Sequence, residues 1–288
     1  MKKKALLPLL FGIMIFLAGC DYSKESNRNG FFYDTFVLPL DHLIHWLGAS
    51  MGHNYGLAII AITLIVRLAL FPFMMRTYKN QSVMKEKMNL IQPQMKAIQE
   101  KVKRARTQEE KMAANQEMMA LYKENNINPL NMGCLPLLIQ LPIVTGLFYV
   151  LKYPSTGGIT EYPHFLWFDL TKTDIAMTVI AGLVYALQAY VSMQNIPDEQ
   201  KAQMRMMMFI SPIMIVWMSF ISPAALPLYW AVGGLFLVFQ TWLGNKFYKN
   251  KVHEEMKPLV EAHEQNQAKA QAQAVKNTTV APKKKKRK

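Results

Sequence analysis

The five long apolar runs of this sequence, 57–75, 129–151, 175–193, 207–221 and 226–244, contain no aspartate, no glutamate and no histidine. That absence removes whole classes of chemistry. A proton-coupled transporter carries its proton on a carboxylate or imidazole inside the membrane. An intramembrane serine protease needs a base beside its serine. Cysteine is scarce as well: Cys20 and Cys134 stand alone in unlike contexts, so neither a disulfide nor redox chemistry is indicated. There is no HExxH zinc motif, no phosphate-binding glycine loop, and no inverted internal repeat of the transporter kind. The expectation is a protein that is not an enzyme and uses no cofactor or metal. Acidic residues are outnumbered, 19 against 33 basic ones, leaving a formal net charge of +14.

What is present is apolar surface. Hydrophobic residues make up 51% of 288 positions. Apolar blocks alternating with basic ones read as an all-α polytopic membrane protein. The runs predict five transmembrane helices, with the short fourth one tilted or kinked at Pro212. The first run, Leu57 to Met75, is 19 residues long and has Arg67 as its only charge. As a helix it spans about 28 Å, enough for a bilayer core. A charge there costs roughly 2.5–3.5 kcal/mol on insertion scales. The loops supply the orientation. Segments 76–128, 194–206 and 245–288 hold 11, two and 12 Lys+Arg, against only Lys24, Arg28, Lys152 and Lys172 in the intervening segments of the mature chain. The positive-inside rule therefore puts the first three segments and the C-terminus in the cytoplasm.

The N-terminus reads as a targeting segment. Lys2, Lys3 and Lys4 precede an apolar stretch from Ala5 to Phe16, which ends in Leu-Ala-Gly-Cys at residues 17–20. That ending resembles a bacterial lipobox, whose cysteine is acylated and becomes the first mature residue. Residues 1–19 are then a lipoprotein signal peptide, and 20–56 a lipidated outer segment; the alternative is a plain N-terminal anchor helix. Within 31–47, Phe36, Leu40, Leu43, Ile44 and Leu47 share one helical face and read as an interfacial helix on the outer leaflet. Residues 152–174 read as an outer loop with an aromatic belt at Tyr162, Phe165, Trp167 and Phe168.

The inner segment 76–128 has a different pattern. Met84, Met88, Ile91, Met95, Ile98 and Val102 recur at coiled-coil spacing. Thr107 to Glu110 then reads as a capping box opening a second helix that runs to about Lys123. The prediction is a charged cytoplasmic helical hairpin. Its methionines hold the two helices together, and some are left open to a client chain. The tail 245–288 closes on a basic run, Lys283 to Lys288, suited to solvent, anionic lipid or RNA.

Arg67 has no acidic partner within the runs, so it needs water or a ligand. It lies eight residues, about 12 Å, from the inner end of its run. Gln140 lies at similar depth in the second run, while Gln188, Gln240 and Trp242 lie nearer the cytoplasm. Together they outline a groove wetted from the cytoplasmic side. The alternative is that the glutamines merely bond between helices.

Two stretches carry a resemblance. Residues 128–143, NPLNMGCLPLLIQLPI, resemble the second-span signature of the YidC family of membrane-protein insertases, and residues 223–234, PAALPLYWAVGG, resemble that family's last-span motif. The Arg in the first span, the hairpin and the five-span layout also match, and the lipobox without a large outer domain resembles the Gram-positive forms. The resemblance implies an insertase and chaperone for nascent membrane proteins in the bacterial cell membrane, acting alone or beside the Sec translocon. It implies a positively charged groove lined by Arg67, Gln140, Gln188 and Trp242. The ribosome, through the basic tail, and the lipid bilayer complete the expected partners. Pro227 and Gly233–Gly234 receive no function. Rival readings are a transporter or channel with Arg67 as an anion site, and a pure assembly chaperone.

The lipobox makes one firm expectation: Cys20 carries lipid and is the mature N-terminus. Mass spectrometry of the purified protein checks it, and residues 1–19 still attached on most molecules would contradict it.

Overall fold

The structure is a computed structural model and describes residues 28–127, 134–193 and 198–279. The leader with Cys20, the first part of the second-run signature (128–133), loop residues 194–197 and the Lys283–Lys288 run lie outside the described residues. A π-helical stretch, Tyr33–Val37, leads into α1, Leu38–Ser50. Then come α2, Tyr55–Leu90, α3, Gln92–Arg104, and α4, Gln108–Glu124. α5 is Cys134–Lys152, followed by short strands β1, His164–Phe165, and β2, Phe168–Asp169. α6 is Ile175–Met193, α7 Asp198–Phe220 and α8 Ala225–Thr279.

The protein is thus a helical membrane protein. Among the described residues three helices are long and apolar enough to cross a membrane: α2, α6 and the Ala225–Ala262 part of α8. The other two runs fall on α5 and α7, whose described apolar stretches, Gln140–Lys152 and Phe209–Phe220, are shorter. In α5 the start of the run lies outside the described residues; α7 opens on the polar Asp198, Glu199, Gln200 and Lys201. Helices also outrun the apolar segments. α2 continues past Met75 to Leu90, because nothing in 76–90 breaks a helix. It stops at Ile91, just ahead of Pro93, which has no N–H to donate. The hairpin segment therefore begins inside a helix that starts in the apolar run.

The chain forms two compact units. The first comprises Met1–Pro72, Leu135–Met193 and Ala202–Phe239. Its core gathers Ile44 and Leu47 of α1, Ile59 and Ile62 of α2, Leu147 and Leu151 of α5, and Leu226, Tyr229 and Trp230 of α8. Phe36, Leu40 and Leu43 pack against this core. So the apolar face of 31–47, read from sequence as lipid-facing, is turned into the protein, and Phe31 and Trp46 are the exposed apolar residues there. Amphipathicity shows that one face avoids water; it does not distinguish lipid from a neighbouring helix. The aromatic belt divides in the same way. Phe165 and Phe168 are core residues, and only Tyr162 and Trp167 are exposed.

The loop between α5 and α6 is firmly built. His164 pairs with Asp169 and Phe165 with Phe168 across the strands. The Asp169 carboxylate accepts the Thr171 hydroxyl at 2.6 Å and its N–H at 2.9 Å, and pairs with Lys172 at 2.9 Å. Burial opposes ionisation, but these donors and the Lys172 charge prevail and hold the carboxyl down at about 2. The first free N–H groups of α8 are satisfied from the same loop: Ala225 donates to Leu170 O at 3.1 Å and Ala224 to Lys172 O at 2.8 Å.

The second unit comprises Phe73–Cys134, Gln194–Lys201 and Gln240–Lys288. Its α3 and α4 pack antiparallel, with Lys101 bonded to Glu117 at 2.7 Å and Tyr122 to the Met95 sulfur at 3.5 Å. Both halves of the Thr107–Glu110 capping box are present. Met84, Met88, Ile91, Met95 and Ile98 are buried with Leu121 and Ile127. The seam methionines are therefore packing residues, and the open ones are Met112 and Met119 on the far side of α4.

Candidate functional site

The register of α2 decides where Arg67 points. Ile59 and Thr63, eight and four residues earlier, share its helical face and are buried at 0% and 1% exposure. Thr63 satisfies its own hydroxyl on Ile59 O at 2.6 Å. Ile65 and Leu68 lie on the other side and are exposed, as is Leu64 three residues before Arg67. Arg67 is half-buried and turned inward.

There it meets α8. A side chain at Gly233 would come within 3.1 Å of Arg67 Nη2 and 3.6 Å of Nε, so the missing side chain is the space the guanidinium uses. At the next position a side chain on Gly234 would press on Val184 and Tyr185 of α6. Small residues that admit close approach are what membrane helices use at interfaces. The Arg67 charge also acts on the Tyr185 and Tyr229 hydroxyls. Tyr229 is one helical turn before Gly233 on the same face and is 4% exposed.

Among the described residues Arg67 makes no hydrogen bond and no ion pair. A guanidinium has five N–H donors, and leaving them unmet in an apolar setting is expensive. The site is therefore a half-buried positive charge packed against Gly233.

The other expected groove residues differ in state. Gln140 is half-buried and makes no hydrogen bond among the described residues. Gln188 gives its amide to Ser192 on its own helix at 3.0 Å, which leaves less of it for a ligand. Neither bonds to Arg67. Gln240 and Trp242 belong to the second unit. Gln240 is 1% exposed, and its Nε2 has no acceptor among the described residues. Trp242 is exposed, and the Lys246 ammonium lies 5.2 Å from its ring centre. No group of residues able to hold a metal occurs among the described residues.

Sequence reasoning missed Tyr185, Tyr229 and Gly233. A signal for the glycine was available: paired glycines inside an apolar helix are costly unless something packs against them. Which helix approached, and that it carried the arginine, required the fold.

Comparison with known proteins gives a family and close relatives. Residues 46–252 match the family model described as 60Kd inner membrane protein. A Staphylococcus carnosus protein named membrane protein insertase YidC is 58% identical over 266 residues, covering 92% of both chains. Proteins of the same name from Staphylococcus haemolyticus and Staphylococcus aureus are each 54% identical, with all of both chains covered.

The Gly233 cradle yields a double-mutant prediction. Gly233→Leu lowers the melting temperature in detergent, because the side chain enters the guanidinium's space. Combined with Arg67→Ala, much of that loss returns, with a coupling of about 0.5–3 kcal/mol typical of touching residues. Additive effects would mean that the two do not share space.

Proposed function

We propose, from the premise that the chain belongs to the 60Kd inner membrane protein family of YidC insertases, that it inserts new membrane proteins by offering Arg67 as a counter-charge in a water-filled groove. Membrane-protein insertion is the activity its relatives are named for over the full length of this chain. The observation that carries the mechanism is the guanidinium itself: half-buried in an apolar helix, against Gly233, with no hydrogen bond or ion pair among the described residues.

The physics is simple. A client's outer segment is polar and often acidic, and hydrocarbon repels it. A groove that admits water shortens the apolar distance, and its low-dielectric walls focus the Arg67 field on the client's carboxylates. Gln140 and Gln188 add amide donors and acceptors. The client's apolar helix leaves along the lipid-facing side. Burying some 20 apolar residues at about 25 cal/mol per Å² supplies the driving force, so no nucleotide is required. Exposed Ile175, Val179, Leu183, Leu187 and Tyr190 form one face of α6 and give such a helix an apolar surface beside lipid.

The rest of the reading follows the charges and motifs. Five spans place a lipid-anchored Cys20 outside and the basic tail in the cytoplasm. The helix pair α3–α4 is then cytoplasmic, with Met112 and Met119 open to clients. The Lys283–Lys288 run favours ribosomal RNA, a contact that salt weakens. The protein acts alone or beside the Sec translocon.

Substitution at Arg67 tests the mechanism. Arg67→Lys keeps the charge and retains insertion, while Arg67→Ala fails for a client with an acidic outer segment and largely spares a neutralised version of it. Insertion of the matched pair into vesicles carrying each variant is the measurement. Equal loss for both clients, with a destabilised protein, would make Arg67 structural.

A further inference from the structure

The β1–β2 hairpin has a feature its fold does not need. Its two-residue tip is Leu166–Trp167, and both are exposed, at 75% and 59%. Leu166 adopts φ +53°. A positive φ at the first central position of such a turn favours glycine, and an L side chain there is strained. A leucine that accepts this strain without burying itself in the protein has its apolar contact elsewhere.

The mounting is rigid. On the inner side of the tip, Phe165 and Phe168 meet edge to face at 5.7 Å and are buried. The Phe165 ring lies so close over Gly56 that a side chain there would strike it. Leu170 N–H donates to Pro163 O at 2.7 Å, closing the base of the hairpin.

The mounting also fixes the level of the tip. Gly56 is the second residue of α2, and the next residue, Leu57, is an exposed apolar side chain. Ile175, the first residue of α6, is likewise exposed, at 68%. Apolar exposure on α2 therefore begins where Phe165 sits. At about 3.3 Å per strand residue, the tip lies within roughly 7 Å of that level. This is the depth where a bilayer's headgroups meet its acyl chains, and where tryptophan is favoured.

We propose that Leu166–Trp167 is a membrane foot: the tip enters the bilayer interface at the α2 N-terminal end and binds lipid there. The occupant is lipid because the tip stands beside Gly56, where the exposed apolar surface of α2 begins at Leu57. The foot is mounted on α2 through Gly56 and tied to the start of α8 through Leu170 and Lys172. It holds the ends of both helices at the interface.

Tryptophan quenching tests this in the full-length protein, in phosphatidylcholine–phosphatidylglycerol vesicles. The Trp167 signal is the fluorescence of the unaltered protein minus that of Trp167→Phe. Lipids brominated near the carboxyl end of the acyl chain are expected to quench most of that signal, and aqueous iodide little of it. A signal that survives the brominated lipid overturns the proposal: quenching by iodide would put the tip in water, and resistance to both would put a protein partner over it. Leu166→Gly suits the turn and so preserves the fold. It is expected to weaken bromine quenching of Trp167 and shift its emission to longer wavelength, and unchanged quenching would remove Leu166 from the contact. Client insertion plays no part in these readouts, so they stand apart from the role of Arg67.

Discussion

An arginine inside an apolar helix, with no carboxylate to neutralise it, is the constraint around which the first unit is arranged. Hydrocarbon does not tolerate the charge unless water or a polar partner reaches it. The sequence supplies no acid in any of its five apolar runs, and no hydrogen-bond acceptor meets Arg67 among the described residues. The helix faces around it show the accommodation. α2 turns Arg67 inward along with Ile59 and Thr63, and α8 gives up a side chain at Gly233 to make room. Among the described residues the protein itself takes up none of its donors, and the proposed role for Arg67 rests on that.

Depth matters as much as charge. Gly56, fixed beneath Phe165, and Arg67 are eleven residues apart on one continuous helix, about 16 Å of rise. If the hairpin tip rests in the interface, Arg67 is held near the middle of a hydrocarbon core about 30 Å thick. Anchoring at one end of α2 and placement of the charge about three turns further along it are then two results of the same packing. The loop that carries the anchor is also well fixed: Asp169 is ionised down to about pH 2 through Thr171 and Lys172, so it stays locked at any physiological pH.

Much of this was legible in the sequence, and the failures have physical causes. The helical membrane class followed from long apolar runs, and Arg67 stood out as the single charge in the first of them. The Thr107–Glu110 capping box was readable because its chemistry is local, and both of its hydrogen-bonded halves are formed. Burial was harder to read. Phe36, Leu40, Leu43, Ile44 and Leu47 looked like a lipid-facing stripe, yet they face a protein core, since both surroundings select the same residues. Helix ends do not follow from apolar runs, because helical propensity continues where apolar character stops, as in α2 beyond Met75. Tyr185, Tyr229 and Gly233 were out of reach because they lie on other helices, and only the fold brings Gly233 against Arg67.

The central claim is that water reaches Arg67 while its neighbours on α2 face lipid. Thiol accessibility measures this most directly. Arg67→Cys and Leu68→Cys are made in a chain whose Cys134 is replaced by serine, and each is treated in vesicles with a small charged thiol reagent supplied in the aqueous phase. The account predicts rapid modification at position 67 and very little at 68. Equal protection at both positions would mean a dry pocket, and would contradict it.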